Sequence, residues 1–136
     1  MKEKLNLLIL NETAAVEELL LALQKQHSAI LKNDVFSLEE VVAIIQKCNR
    51  SVASFEFERR KITEDKPMSE ILNSFNDSEM EDNVRKIQKL LQAVIMQKNN
   101  NETLIKQGLA FTNKILNVLN PDRTAKTYNA YGKVKK

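Results

Sequence analysis

The chain reads as all-α, an elongated antiparallel bundle of three long helices with left-handed, coiled-coil-like packing. Three observations predict this. Only 2 Gly and 2 Pro occur in 136 residues, far too few for the many tight turns of a sandwich or barrel. Aromatics are 5% and Trp is absent, so a core must come from Leu, Ile and Val. Apolar residues recur in steps of three and four over long stretches, the period of a helix lying along other helices.

The first segment, Lys2 to Lys32, carries Ile9, Val16, Leu23 and Ile30 at a strict seven-residue spacing. Leu20 and His27 fill the intervening turns, and Leu5, Leu19 and Leu31 widen the stripe. A helix of this length spans roughly 45 Å and needs partners for its apolar face. After the break at Asn33-Asp34-Val35-Phe36, Ser37-Leu38-Glu39-Glu40 has the form of a capping box, with Ser37 as the cap. The second segment then runs to about Asp65, with a seam of Leu38, Val41, Ile45, Cys48, Val52, Phe55, Arg59 and Ile62. Arg59 is its one polar member. Two readings fit it, snorkelling at the bundle edge or pairing with an acid from a neighbouring helix, and the first is favoured.

Pro67 stops the second segment at or before Lys66. Met68, Ile71, Leu72 and Phe75 make one short amphipathic helix in the connection. Asn76-Asp77-Ser78 offers several N-caps for the third long segment, and Ser78 with Glu81 forms another capping box; Met80, Val84, Ile87, Leu91 and Val94 lie on one face. Asn99-Asn100-Asn101 weakens the pattern, because Asn side chains compete for backbone hydrogen bonds. Either one helix runs through with a polar layer at its seam, or the third helix is kinked or split in two. The phase persists through Asn101, Ile105, Gly108, Thr112, Ile115 and Leu119, which favours continuity. Asn120-Pro121 ends it. Residues 1–120 form the expected helical domain and 121–136 a basic, flexible tail without apolar periodicity.

Charge and residue inventory exclude much chemistry. Residues 121–136 hold five basic side chains (Arg123, Lys126, Lys133, Lys135, Lys136) and one acid, Asp122, whereas the first 120 carry 16 basic and 17 acidic. The pI of about 9.0 is thus a property of the tail, and the body has no basic stripe for nucleic acid. One histidine and one cysteine leave no metal site of the usual His/Cys sets and no internal disulfide. His27 reads as a partly buried seam residue and Cys48 as a small hydrophobe on a mid-helix seam. With no Gly-rich phosphate loop, neither catalysis nor a cofactor is expected. The opening residues lack the unbroken apolar run of a signal peptide. The longest apolar run, Leu19 to Leu23, is far below the ~20 residues of a membrane span. A soluble cytoplasmic protein without stable membrane insertion is expected.

The last turns of the third helix carry the strongest functional signal. At ~100° per residue, Leu104, Ile105, Leu109, Phe111, Ile115, Leu116, Val118 and Leu119 fall within an arc of roughly 180°. Lys106, Gln107, Asn113, Lys114 and Asn117 lie opposite. The surplus width is either a docking surface for a partner helix or the wide face of a helix with two neighbours. The greater length of this helix tips the balance toward docking. In the tail, Tyr128 and Tyr131 are either incidental or anchors of a short linear motif.

Together these features resemble the FlgN family of flagellar export chaperones. The resemblance rests on a leucine-rich, acidic first helix (Glu17, Glu18, Leu20, Leu23) followed by the Asp34…Leu38-Glu39 junction. It continues with Glu58-Arg59-Arg60 late in the second helix, Asn101 followed by Leu104-Ile105 in the third, and Thr127-Tyr128-Asn129-x-x-Gly132 in the tail. Asn129 departs from the family pattern, which more often has an acid there. The resemblance implies a chaperone for hook-associated, hook–filament junction proteins that prevents their premature assembly and delivers them to the flagellar export gate. Client binding would fall on the late third helix and gate docking on Tyr128. A structural coiled-coil adaptor or dimerisation module is the competing reading, and self-association is left open.

Overall fold

A computed structural model gives the tertiary structure; it describes residues 2–119 and the main chain of residues 127–128 and 134–135. The described residues are all-α apart from those two short segments. The order is α1 (Lys2–Lys32), α2 (Val35–Thr63), α3 (Met68–Phe75) and α4 (Ser78–Leu119). Besides the three long helices a short one, α3, lies between α2 and α4, so the described residues form four helices. The third long segment is not split into two helices: α4 is assigned as one helix of 42 residues. The chain divides into two units, Met1–Asn101 and Glu102–Lys136.

Helix boundaries follow from local chemistry, with one correction. The cap of α2 is Asp34, not Ser37. Asp34 Oδ1 accepts the Ser37 amide at 3.2 Å and Oδ2 accepts the Ser37 hydroxyl at 2.7 Å. A carboxylate at a helix N-terminus also meets the favourable end of the dipole, so the helix starts earlier and includes Val35 and Phe36. Of the caps offered by Asn76-Asp77-Ser78, α4 uses Asp77, whose Oδ1 accepts the Glu79 amide at 3.1 Å. Helices usually stop at a left-handed glycine. With so few glycines, this chain uses Asn33 (φ 53°), Glu64 (φ 55°) and Asn76 (φ 48°).

In the first unit, α1 and α2 run antiparallel, since Glu12 meets Arg59 while Ala29 and Val41 share one pocket wall. The first half of α4 runs parallel to α1. Lys2 pairs with Asp77, Asn6 with Asn83, Glu17 with Lys86 and Leu23 with Asn101, both numbers rising together. The alternation is up, down, up. One buried cluster joins Val16, Leu19 and Leu23 of α1 to Cys48 of α2 and to Ile87 and Val94 of α4. A second joins Leu5 and Ile9 to Ile71, Met80 and Val84, and α3 closes it with Met68, Leu72 and Phe75. Each fully buried aliphatic side chain contributes about 1.5–3 kcal/mol. Of the predicted apolar stripe on α1, Leu31 is the exception: it is exposed beside the α1–α2 turn.

Among the described residues the buried polar side chains are Glu12, Thr13, Thr63 and Asn101. Arg59 does not snorkel freely; its Nε donates to Glu12 Oε2 at 3.1 Å, and the Glu12 side chain is almost completely buried. Thr13 returns its hydroxyl to the Ile9 carbonyl at 2.7 Å. Asn101 is buried and fully hydrogen-bonded, to Leu23 O, Gln26, Gln97 and His27. The polar layer that the sequence offered as an alternative to a break is what lets α4 pass through its asparagine run.

Candidate partner-docking surface

The second unit contains the α4 segment from Glu102 to Leu119. Its sequence, TLIKQGLAFTNKILNVL after Glu102, has good helix formers and two lysines but no carboxylate until Asp122. Exposure of the apolar residues here is high. Leu109 is 60% exposed, Phe111 64%, and Val118 and Leu119 each 76%. Ile105 and Ile115 are also exposed, while Leu104 and Leu116 are half-buried. All eight residues of the sequence-predicted face are therefore on one helix, and none of them is buried.

Four of the eight come together around a shallow apolar groove of about 380 Å³, lined by Phe111, Ile115, Val118, Leu119 and the stem of Lys114. Leu104, Ile105, Leu109 and Leu116 do not line that groove. Sequence reasoning treated Lys114 only as part of the polar side. Its methylenes form one wall of the groove, a common use of a lysine stem. Gly108 was also passed over as a site residue. A Cβ there would meet nothing within 4 Å, so no neighbour among the described residues requires the glycine. An apolar helix face of this extent, left in water, is what a protein-contact surface looks like before it is filled.

Other candidates for chemistry resolve as structural. Cys48 is buried, and burial raises its thiol pKa, reinforced by Glu18; such a thiol is a poor nucleophile. Among the described residues no group of His, Cys, Asp and Glu is arranged to hold a metal ion, and no helix is long and apolar enough to cross a membrane. Burial raises the Glu12 carboxyl, and Arg59 works against that shift; the pair joins α1 to α2. Tyr128 is placed only through its main chain, in a two-residue segment, Thr127–Tyr128, that pairs antiparallel with Val134–Lys135. The side chain of Tyr128 lies outside the described residues, as does most of the 121–136 tail.

The described residues form an all-α bundle with a long apolar face exposed on α4. Over residues 1–136 the chain matches the family model described as FlgN protein. It belongs to the FlgN family, a family of flagellar export chaperones and not of enzymes. Neither the curated proteins nor the solved structures offer a match.

Proposed function

We propose that this protein is a cytoplasmic chaperone of the flagellar type III export pathway that binds the terminal segment of hook-associated, hook–filament junction proteins. The client segment lies along Leu104, Ile105, Leu109, Phe111, Ile115, Leu116, Val118 and Leu119. There it is kept from premature assembly until the complex reaches the export gate, where Tyr128 belongs to the docking element. The observation that carries this reading is an apolar face on a single helix, six of its eight residues exposed and the other two half-buried. An amphipathic client helix in this position buries that face by a helix-in-groove mode. A client that is unfolded when free pays for ordering as it binds, so the complex is of moderate affinity and can be released without chemistry.

The test is size-exclusion chromatography of the chain mixed with the C-terminal segment of a hook-associated protein from the same organism. A complex is expected, and it is lost when Leu104, Phe111 and Val118 are replaced together by Glu, with circular dichroism unchanged. Loss of helicity in that variant would place these residues in a core. A failure of the wild-type chain to shift the client would favour the adaptor reading. Tyr128→Ala is expected to leave client binding intact and weaken capture by the gate in pull-downs; equal loss of both would make tail and helix one site.

A further inference from the structure

The outer face of α1 is apolar in a pattern that the bundle does not use. Leu7, Leu10 and Leu21 are 58%, 46% and 60% exposed, and Ala14 between them is exposed as well. With Glu3 and Lys25, these residues fall within about 60° of arc at 100° per residue, opposite the Ile9–Val16–Leu23 core stripe. Leu7, Ala14 and Leu21 are spaced two turns apart, a second heptad on the reverse side of the same helix.

The strip is also its own complement. We infer that α1 pairs with α1 of a second copy, antiparallel, about a two-fold axis through Ala14. The two-fold sets Leu7 against Leu21 of the second copy and Glu3 against Lys25, each pair occurring twice as in any isologous contact, and Ala14 against Ala14 once on the axis. Ala14 at the axis has no long side chain to hold the helices apart. Glu3 and Lys25 are exposed and have no ion-pair partner among the described residues of their own chain. At the edge, Glu17 is held by Lys86 of its own chain at 3.2 Å, and Glu18 lies alongside Leu10 of the second copy, covering it with its methylenes. Six leucines and four end charges make a small interface, so the dimer is a weak one in equilibrium with monomer. This contact uses none of the late α4 face and stands independently of the proposed client.

Sedimentation equilibrium of the full chain is expected to show a reversible monomer–dimer equilibrium. Leu7→Glu with Leu21→Glu weakens it by more than about tenfold while leaving the melting curve in place, because both side chains point away from the core. Glu3→Lys alone weakens the dimer, and Glu3→Lys with Lys25→Glu restores it. The register is tested by oxidation. Ala14→Cys should cross-link to itself, and Leu7→Cys should cross-link to Leu21→Cys in a mixture faster than to itself, with buried Cys48 silent. A chain that stays monomeric at every concentration overturns the inference. So does a dimer indifferent to the Leu7/Leu21 change, or one in which Leu7→Cys links to itself faster than Ala14→Cys does.

Discussion

The side-chain amide of Asn101 donates a 2.8 Å hydrogen bond to the main-chain carbonyl of Leu23, tying α4 to α1 at the point where the apolar seam of α4 is interrupted. A carbonyl can only accept, so this bond fixes which way the amide faces. Nδ2 also reaches Gln26 Oε1 at 3.0 Å, while Oδ1 accepts from Gln97 Nε2 at 3.0 Å and faces His27 Nδ1 at 3.3 Å. The imidazole therefore carries its hydrogen on Nδ1, and all four hydrogen-bonding positions of the Asn101 amide are occupied. A buried polar group satisfied on every side sets the alignment of two helices more sharply than leucine contacts do.

Asn101→Leu keeps approximate size but abandons the Leu23 carbonyl and two glutamine side chains. We expect a loss of about 1–3 kcal/mol, read as a lower urea midpoint at unchanged m value.

Arg59→Leu leaves the Glu12 carboxylate buried without its counter-charge, at a cost of about 3 kcal/mol near neutral pH. Glu12 already has a carboxyl raised above its ordinary value of 4.5, by burial first, and removing Arg59 raises it further. A folded-state pKa above the unfolded one means that the protonated form favours the fold. Stability from this group is complete below the unfolded value and is lost as pH rises through the folded one. The melting-temperature gap between wild type and Arg59→Leu should therefore narrow as pH falls toward that lower value. A gap independent of pH would remove Glu12 from the explanation. Replacing both residues with Leu and Met should cost less than Arg59→Leu alone.

Asp34→Ala should lower the melting temperature more than Ser37→Ala, reversing the order a Ser37 cap would give. Hydrogen bonds from Ser37 hold the Asp34 carboxyl below its ordinary value. Its contribution is present above the unfolded pKa and is lost as pH falls through the folded one. The difference between Asp34→Ala and wild type should thus shrink in acid, as followed by circular dichroism.

Glu64→Gly should stabilise the protein by up to about 1 kcal/mol, because Glu64 ends α2 at φ 55°, where a Cβ is strained and glycine is not. Thermal unfolding measures it; a lower melting temperature would show that the side chain of Glu64 contributes more than the strain costs.

Gly108→Ala should raise helicity by circular dichroism, since alanine is favoured by about 1 kcal/mol in a helix interior and the added methyl meets no neighbour. A fall in client affinity in the same variant would mean that a bound segment comes close to the helix at that point.

Much of this architecture was legible in the residues, because helical periodicity and the core stripe are local properties of the chain. Ile9, Val16 and Leu23, the Leu38-to-Ile62 seam and the short Met68–Phe75 helix all stand where their spacing put them. The late α4 face was readable as an apolar arc of roughly 180°, but whether internal neighbours covered it was not. Choosing between Ser37 and Asp34 as a cap turns on backbone angles one residue apart, which composition does not encode. The outer heptad Leu7–Ala14–Leu21 was hidden among the many leucines of α1, since only burial separates a leucine that faces the core from one that does not.

By itself, then, the sequence determined the helices, their approximate ends and the family they belong to, because each depends on neighbours within a few turns. The tertiary structure alone decided that Arg59 meets Glu12, that Asn101 is satisfied by Leu23, Gln26, Gln97 and His27, and which leucines remain in water. Those are pairings between residues about 47 to 78 positions apart, apart from the local Gln97 bond. Only the docking of one helix on another can set them, because a side chain's partner across a bundle is fixed by helix rotation and offset.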